Sequence, residues 1–107
     1  KTFIMPQNKR ILFAPIRLRT ALRAQALCHP ARLEIIELLR HYDFLLCSEI
    51  VDYLPLQQST ISYHLSVLLQ TDIIVRDEMA GVVGYRINRL GWRTAKEYLQ
   101  QFFAEVG

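Results

Sequence analysis

Apolar residues recur every three or four positions in five stretches of the chain, which predicts five helices. The first stretch carries Leu18, Leu22 and Ala26 at spacings of four. The His29-Pro30 step ends it, because a residue before proline is pushed away from helical geometry. Pro30 suits the first turn of the next helix, where its missing N–H is not needed. The predicted helices cover residues 15–27, 31–41, 47–54, 57–70 and 89–106.

Two of these helices have distinct apolar and polar faces. The second helix is expected to place Leu33, Ile36 and either Leu38 or Leu39 on its apolar face. The fourth is expected to bury four residues: Ile61, Leu65, Leu68 and Leu69. Its opposite face is polar and consists of Gln58, Ser59, Ser62, Tyr63 and Ser66.

After Asp72 the period of the pattern changes from 3.6 to 2, which predicts two strands. Residues 73–75 are rich in β-branched side chains, and Val83, Tyr85 and Ile87 alternate with other residue types. Residues 77–81 are expected to form a polar turn in which Gly81 adopts a positive φ. Asn88 is a good N-cap for the last helix. The pattern therefore predicts a two-stranded hairpin followed by a helix.

This order of elements predicts an α+β, mostly helical fold: a helix-turn-helix followed by a hairpin wing. A helix of about 14 residues is roughly 20 Å long and fits the major groove of DNA, which is about 12 Å wide. Short Gln, Ser and Thr side chains both donate and accept hydrogen bonds to base edges there. Residues 57–60 alone are more typical of the polar first turn of an ordinary amphipathic helix. The hairpin and the short preceding helix favour the DNA-binding interpretation.

Three segments resemble the ArsR family of dimeric winged-helix repressors. Residues 26–39 (ALCHPARLEIIELL) are similar to the opening of that family, and residues 56–65 (LQQSTISYHL) to its recognition signature. Residues 84–87 (GYRI) are similar to the end of its wing. The resemblance implies a symmetric homodimer that binds an inverted-repeat operator in double-stranded DNA and responds to an inducer whose chemistry the sequence does not specify.

The resemblance and the polar face together give a set of candidate DNA-binding residues. Tyr63 departs from the family, which usually has Arg there, and residues 57–70 contain no charged side chain except the titratable His64. Phosphate contacts must then come from elsewhere. His64 is interpreted as a residue that packs within the fold. The expected base contacts are Gln58, Ser59, Thr60, Ser62 and Tyr63, and the expected phosphate contacts are Arg32 and Arg86.

The last helix carries more aromatic surface than a short terminal helix needs to cover its own domain. The alternative is that these side chains close the core of the monomer. A core this small is not expected to bury both sides of that helix, which favours a dimer interface. The expected dimerisation residues are Leu18, Leu22, Trp92, Leu99, Phe102 and Phe103.

Length and composition indicate one domain, and the charge is unevenly distributed along the chain. The 107 residues, of which 51% are hydrophobic and 21% charged, are enough for a single domain over residues 1–107, with an N-terminal arm at 1–15 and a dimerisation helix at 89–106. The formal net charge is +3. Residues 1–40 carry eight basic and two acidic side chains (+6), and residues 41–107 carry five and eight (−3). The basic excess therefore precedes the predicted recognition helix.

Cysteine content and hydropathy indicate a cytoplasmic protein. Cys28 and Cys47 are too few for a secreted disulfide framework, and no apolar run approaches the length of a membrane span or a signal peptide. Metal-sensing relatives use a Cys-x-Cys pair on the third helix, where this chain has only Cys47, and no metal site or cofactor is expected. A thiol switch between Cys28 and Cys47 is a second possibility, set against their packing as small buried residues.

The sequence also bears on two other functions. An enzyme is not expected, because no G-x-S-x-G, glycine-rich phosphate loop or paired acidic motif is present. The uncharged recognition helix and the acidic residues of the hairpin are also compatible with a winged-helix module that has lost DNA binding. Such a module would bind a protein or a small molecule instead.

Overall fold

The computed structural model describes residues 14–107. Five helices and one antiparallel hairpin follow one another as predicted: α1 (Pro15–Leu27), α2 (Pro30–Tyr42), α3 (Cys47–Tyr53), α4 (Gln58–Gln70), β1 (Ile74–Met79), β2 (Val82–Ile87) and α5 (Arg89–Val106). The α+β winged-helix prediction is thereby confirmed. Most of the N-terminal arm predicted at 1–15 lies outside the described residues, and Pro15 already belongs to α1.

Helix boundaries are fixed by local hydrogen bonds. The Nδ1 atom of His29 accepts a hydrogen bond from the backbone N–H of Ala31 at 3.0 Å, so His29 is the N-cap of α2. At the start of α5, Asn88 Oδ1 accepts from the N–H of Gly91 at 3.3 Å, as its predicted capping role requires. The Nδ2 atom of Asn88 also donates to Asp72 O at 3.0 Å, which ties α5 to the end of α4.

The core lies between α2, α3, α4 and the start of β1. Its fully buried side chains are Ile35, Leu39, Ile50, Ile61, Leu65, Leu68, Ile73 and Ile74. One expectation about α2 was wrong: Leu33 is exposed and Ile35 is buried instead. Residues 32–40 are all helical, so a face that buries Ile35, Ile36 and Leu39 turns Leu33 to the other side.

The wing differs from the predicted hairpin at its tip. The strands pair from Ile74–Ile87 to Met79–Val82, so Asp77 and Glu78 lie in β1 and the turn contains only Ala80 and Gly81. Both turn residues have positive φ, +52° and +79°, as the tight turns of two-residue hairpins require. The prediction of a polar turn over residues 77–81 was therefore wrong. The side chains beside the turn, Met79 and Val82, are exposed and apolar.

The base of the wing is held against the chain that precedes α3. Leu45 forms an isolated antiparallel bridge with Tyr85, with N···O distances of 3.1 and 2.9 Å. Gly84 is buried at this point, and a Cβ atom there would lie 2.5 Å from Phe44 Cζ and 2.8 Å from Leu45 O. The wing therefore leaves the domain at a fixed place beside α3 and α4.

Candidate nucleic-acid interface

The fourth helix presents a continuous polar surface to solvent. Gln58, Ser59 and Ser62 are exposed, and 60% of the Tyr63 side chain is accessible. Thr60 is half-buried at the edge of this surface. The opposite side of α4 packs into the core through Ile61, Leu65 and Leu68, so the helix cannot rotate without losing buried apolar area. Four of the five predicted base-contact residues thus lie together on one exposed face.

Beneath this face, His64 is a structural histidine. It is 4% exposed, and its Nδ1 atom accepts a hydrogen bond from Arg32 Nε at 3.1 Å. The ring of His29 lies 4.4 Å away, centroid to centroid. Burial, followed by the charges of His29 and Arg32, lowers the pKa of His64, so its imidazole is neutral at pH 7.

Arg32 joins three parts of the interface. Besides His64, it donates from Nη1 to the carbonyl oxygen of Ala26 at 3.1 Å, and its guanidinium carbon lies 5.9 Å from the centre of the Tyr63 ring. Two of its five N–H groups are therefore used within the fold. Arg32 and Tyr63 are adjacent, as a shared role at one surface requires.

Arg86, the second predicted phosphate contact, is bound within the wing. Its Nε atom lies 2.7 Å from Asp77 Oδ2 in an ion pair, and its Nη2 atom is 2.9 Å from Met79 Sδ. The guanidinium carbon lies 5.5 Å from the centre of the Phe44 ring. The opposite face of the hairpin carries Arg76, which is exposed and lies 6.0 Å from the Tyr85 ring centre. Because Asp77 was predicted to lie in the polar turn, its ion pair with Arg86 was not predicted.

The basic residues of α1 are turned away from the exposed face of α4. Arg17 donates from Nε to the hydroxyl of Tyr98 on α5 at 3.0 Å. Arg23 is only 9% exposed and donates from Nε to the carbonyl oxygen of Thr71, which caps the C-terminal end of α4. A cation at that end interacts favourably with the helix dipole. A helical Arg in an amphipathic pattern gives no sequence signal for such burial.

An apolar surface remains exposed on α1 and α5. Leu18 is 51% exposed, Leu22 46% and Phe103 64%, and Trp92 and Phe102 are also accessible. Leu99 is half-buried between these helices. The structure therefore brings the predicted dimerisation residues to the two helices expected, with Val106 and Leu90 as further exposed apolar residues that the prediction omitted.

Both cysteines are free thiols. Cys28 is exposed, with its Sγ donating to Ala24 O at 3.2 Å, and Cys47 is half-buried with its Sγ 4.0 Å from Ser62 Oγ. Among residues 14–107, no three His, Cys, Asp or Glu side chains converge as metal ligands would. No helix in this part of the chain is long and apolar enough to cross a membrane.

One family model matches the segment that contains the helix-turn-helix. Residues 29–75, which run from the cap of α2 to the start of β1, match the model of the bacterial regulatory protein arsR family. No curated protein sequence matches the chain.

Solved structures share its fold. One is an ArsR-like transcriptional regulator from Rhodococcus sp. RHA1, with 22% identity, a TM-score of 0.75 and 82% of each chain covered. The transcriptional repressor PagR of Bacillus anthracis is 26% identical, with a TM-score of 0.63 over 72% of this chain and 90% of PagR. HlyU from Vibrio cholerae N16961 is 21% identical, with a TM-score of 0.63 over 86% of this chain and 99% of HlyU.

Proposed function

We propose that the chain is a winged helix-turn-helix regulator of the ArsR family, a dimeric transcriptional repressor that binds an inverted repeat in double-stranded DNA. Its family and structural neighbours are regulatory proteins and not enzymes. The observation that carries the proposal is the exposed, uncharged face of α4, held in place by the buried side of the same helix.

The α4 face supplies the base contacts in this proposal. The polar groups of Gln58, Ser59, Thr60 and Ser62 both donate and accept, so they can pair with the mixed donors and acceptors of major-groove base edges. Tyr63 adds a hydroxyl and an exposed ring. Because α4 has 13 residues and is about 20 Å long, its first two turns can lie in the groove while its last turn stays in the domain.

Phosphate contacts are assigned to Arg32 and Arg86. Each donates part of its guanidinium to the fold and keeps further N–H groups, so each is pre-oriented for a phosphate oxygen. Few cations adjoin α4, and the logarithm of DNA affinity falls with the logarithm of salt in proportion to the phosphates neutralised. We therefore expect a shallow salt dependence for this protein.

A symmetric dimer through α1 and α5 would cover the exposed apolar surface. Leu18, Leu22, Trp92, Phe102 and Phe103 together form a patch that a monomer leaves in water. Dimeric helix-turn-helix proteins bind half-sites whose centres are about 34–36 Å apart or a multiple of that. We place the protein in the cytoplasm, where thiols such as those of Cys28 and Cys47 stay reduced.

Selection of bound sequences from a random pool of duplex DNA tests the proposal. The expected product is an inverted repeat bound by two copies of the chain, with the molar mass of the complex measured by light scattering. A variant with Ser59, Ser62 and Tyr63 all replaced by Ala should keep the dimer and its circular dichroism spectrum but lose specific binding.

A matched control replaces the exposed Ser48 of α3 with Ala and should bind as the parent does. Equal operator affinity for the triple variant and the parent protein would refute the assignment of α4. If the protein binds no DNA sequence from the pool, even at low salt, the result would favour a winged-helix module that binds a protein or a small molecule instead of DNA.

A further inference from the structure

A groove runs between α1 and α4, behind the proposed DNA-binding face. Leu22 and Ala26 of α1 form one wall, and Tyr63, Val67 and Thr71 form the other. The latter three residues are spaced by four, so they lie in one row along α4. The cavity has a volume of about 210 Å³ and continues into a second one of about 60 Å³, which shares Leu22 and Thr71. We call the two together the α1–α4 groove.

The charges around this groove are mainly positive. Arg32 lines one end, and Arg19 and Arg23 line the other. The carboxylate of Asp72 is the single acidic group among the lining residues. None of the three arginines forms an ion pair within residues 14–107, because the ion pairs of that part of the chain involve Arg40, Arg86 and Arg89. A concave surface lined mainly by positive charge concentrates small anions.

Arg23 adds a buried positive charge beside the smaller cavity. More than nine-tenths of its surface is buried, and its Nη1 atom has no hydrogen-bond partner among the described residues. The guanidinium keeps one hydrogen bond, from Nε to Thr71 O, and an anion in the adjoining groove would lower the cost of burying the rest of its charge.

The remaining surface favours a flat, partly apolar molecule. Leu22, Val67 and the exposed ring of Tyr63 offer apolar contact, and Gln25 at the rim offers an amide. Pockets for drug-sized ligands have volumes of roughly 300–1,000 Å³, so this groove is suited to something smaller. The planar fork of a guanidinium matches the two oxygens of a carboxylate.

We propose that the α1–α4 groove binds a small planar organic anion, a carboxylate of one or two rings. Its ring lies against Tyr63 and Val67, and its carboxylate pairs with Arg32. Because both Tyr63 and Arg32 belong to the proposed DNA interface, a bound ligand would lower DNA affinity. That consequence rests on the proposed function, whereas binding of the anion to the protein alone does not.

The test uses the full chain without DNA and 1-naphthoate as the probe. In ¹⁵N-labelled protein, 1-naphthoate should shift the amide resonances of Leu22, Gln25 and Val67. The neutral analogue 1-naphthalenemethanol and inorganic phosphate each supply half of the required chemistry, so each should bind at least about tenfold more weakly. Equal binding of the alcohol would overturn the anion site, and equal binding of phosphate would overturn the organic ligand.

Two variants locate the site. Gln25→Trp fills the rim and should abolish the shifts, while Gln100→Trp, at an exposed position of α5, should leave them unchanged. Arg32→Gln should weaken 1-naphthoate about tenfold, with Arg93→Gln as its exposed control. Shifts confined to α5 near Phe102, or retained in Gln25→Trp, would overturn the proposal. Binding of 1-naphthoate by a protein that binds no DNA would refute the proposed function and leave the groove assignment intact.

Discussion

Arg32 donates a hydrogen bond from Nε to Nδ1 of His64 across 3.1 Å, and this bond joins the start of α2 to the buried side of α4. An arginine N–H can only donate, so Nδ1 of His64 must be the acceptor and carry no proton. The proton of the neutral imidazole is therefore on Nε2. The recognition helix is therefore braced by a pair in which the histidine has to remain neutral.

Removal of Arg32 should destabilise the domain. Arg32→Ala leaves His64 Nδ1 and the carbonyl oxygen of Ala26 without their donor, and an unsatisfied buried group costs about 1–3 kcal/mol. Urea denaturation should show a lower free energy of unfolding by about that amount. Arg93→Ala, at an exposed position of α5, should change it by less than about 0.5 kcal/mol. A loss for Arg32→Ala no larger than this control would contradict the bracing role.

Acid should destabilise the domain through His64. Its pKa is lowered in the folded protein, so the unfolded chain takes up a proton first as the pH falls below about 6.5. The free energy of unfolding should then decrease by at most about 1.4 kcal/mol per pH unit, until the pH passes the lowered pKa of the folded state. Denaturation curves from pH 7.5 to 5 measure this slope.

His64→Gln keeps an acceptor for Arg32 but removes this titration, so its slope should be smaller than that of the parent. The exposed His41 supplies the matched control, His41→Gln, which should retain the parental slope. Identical slopes for His64→Gln and the parent would show that the acid sensitivity comes from other groups.

The wing turn can be stabilised. Ala80 has a φ of +52°, which strains an alanine, whereas an Asn-Gly pair is the preferred sequence of such turns. We expect Ala80→Asn to raise the free energy of unfolding by about 0.5–1 kcal/mol. Gly81→Ala introduces strain of the same kind at a φ of +79° and should have the opposite sign. Thermal denaturation of the two variants checks both, and an unchanged Tm for each would mean that the turn melts before the domain.

A charge on the apolar face of α5 should prevent dimerisation. Phe103 is 64% exposed, and Phe103→Glu would place a carboxylate in the interface of the proposed dimer, which must exclude water. Sedimentation velocity should show a monomer, with an unchanged circular dichroism spectrum. Val83→Glu changes an apolar residue on the wing that is 52% exposed and should remain dimeric. A dimer in Phe103→Glu would place the interface elsewhere.

The two thiols should differ in reactivity. Cys28 is exposed and Cys47 is half-buried, so a thiol reagent should modify Cys28 first. The modification rates of the Cys28→Ser and Cys47→Ser variants give the reactivity of each remaining thiol separately. The thiol-switch hypothesis makes a further demand, because operator binding by the parent should then change on peroxide treatment while that of Cys47→Ser should not. Unchanged binding of both would remove the hypothesis.

The order of elements was predictable because it depends on local patterns. The apolar spacing of α4, the proline at the start of α2 and the cap at Asn88 each act within a few residues. The turn of the wing was misplaced because its polar residues suggested a loop, while the strand pairing of Asp77 with Gly84 extended the ladder to Met79. There the pairing of β1 with β2 outweighed the low β-propensity of Asp77 and Glu78.

Long-range partners were not predictable. The contacts of Arg23 with Thr71, and of Arg86 with Asp77 and Phe44, depend on how the helices and the wing pack. Such contacts leave no periodic signal in the sequence. The polar face of α4 was predictable as a surface, since its spacing alone separates it from the buried side. Whether Arg32 turned outward or toward His64 depended on α2 and α4 meeting.

The hydrogen bond from Arg23 to Thr71 joins α1, which carries the exposed Leu18 and Leu22, to the C-terminal end of α4. A tilt of α1 would therefore move the C-terminal end of α4, whereas the first two turns of α4 are the part proposed to enter the DNA groove. In the proposed dimer, the way in which the two copies pack would therefore set the orientation of each α4 helix. Changes at the subunit contact could alter operator affinity with no rearrangement of the hydrophobic core.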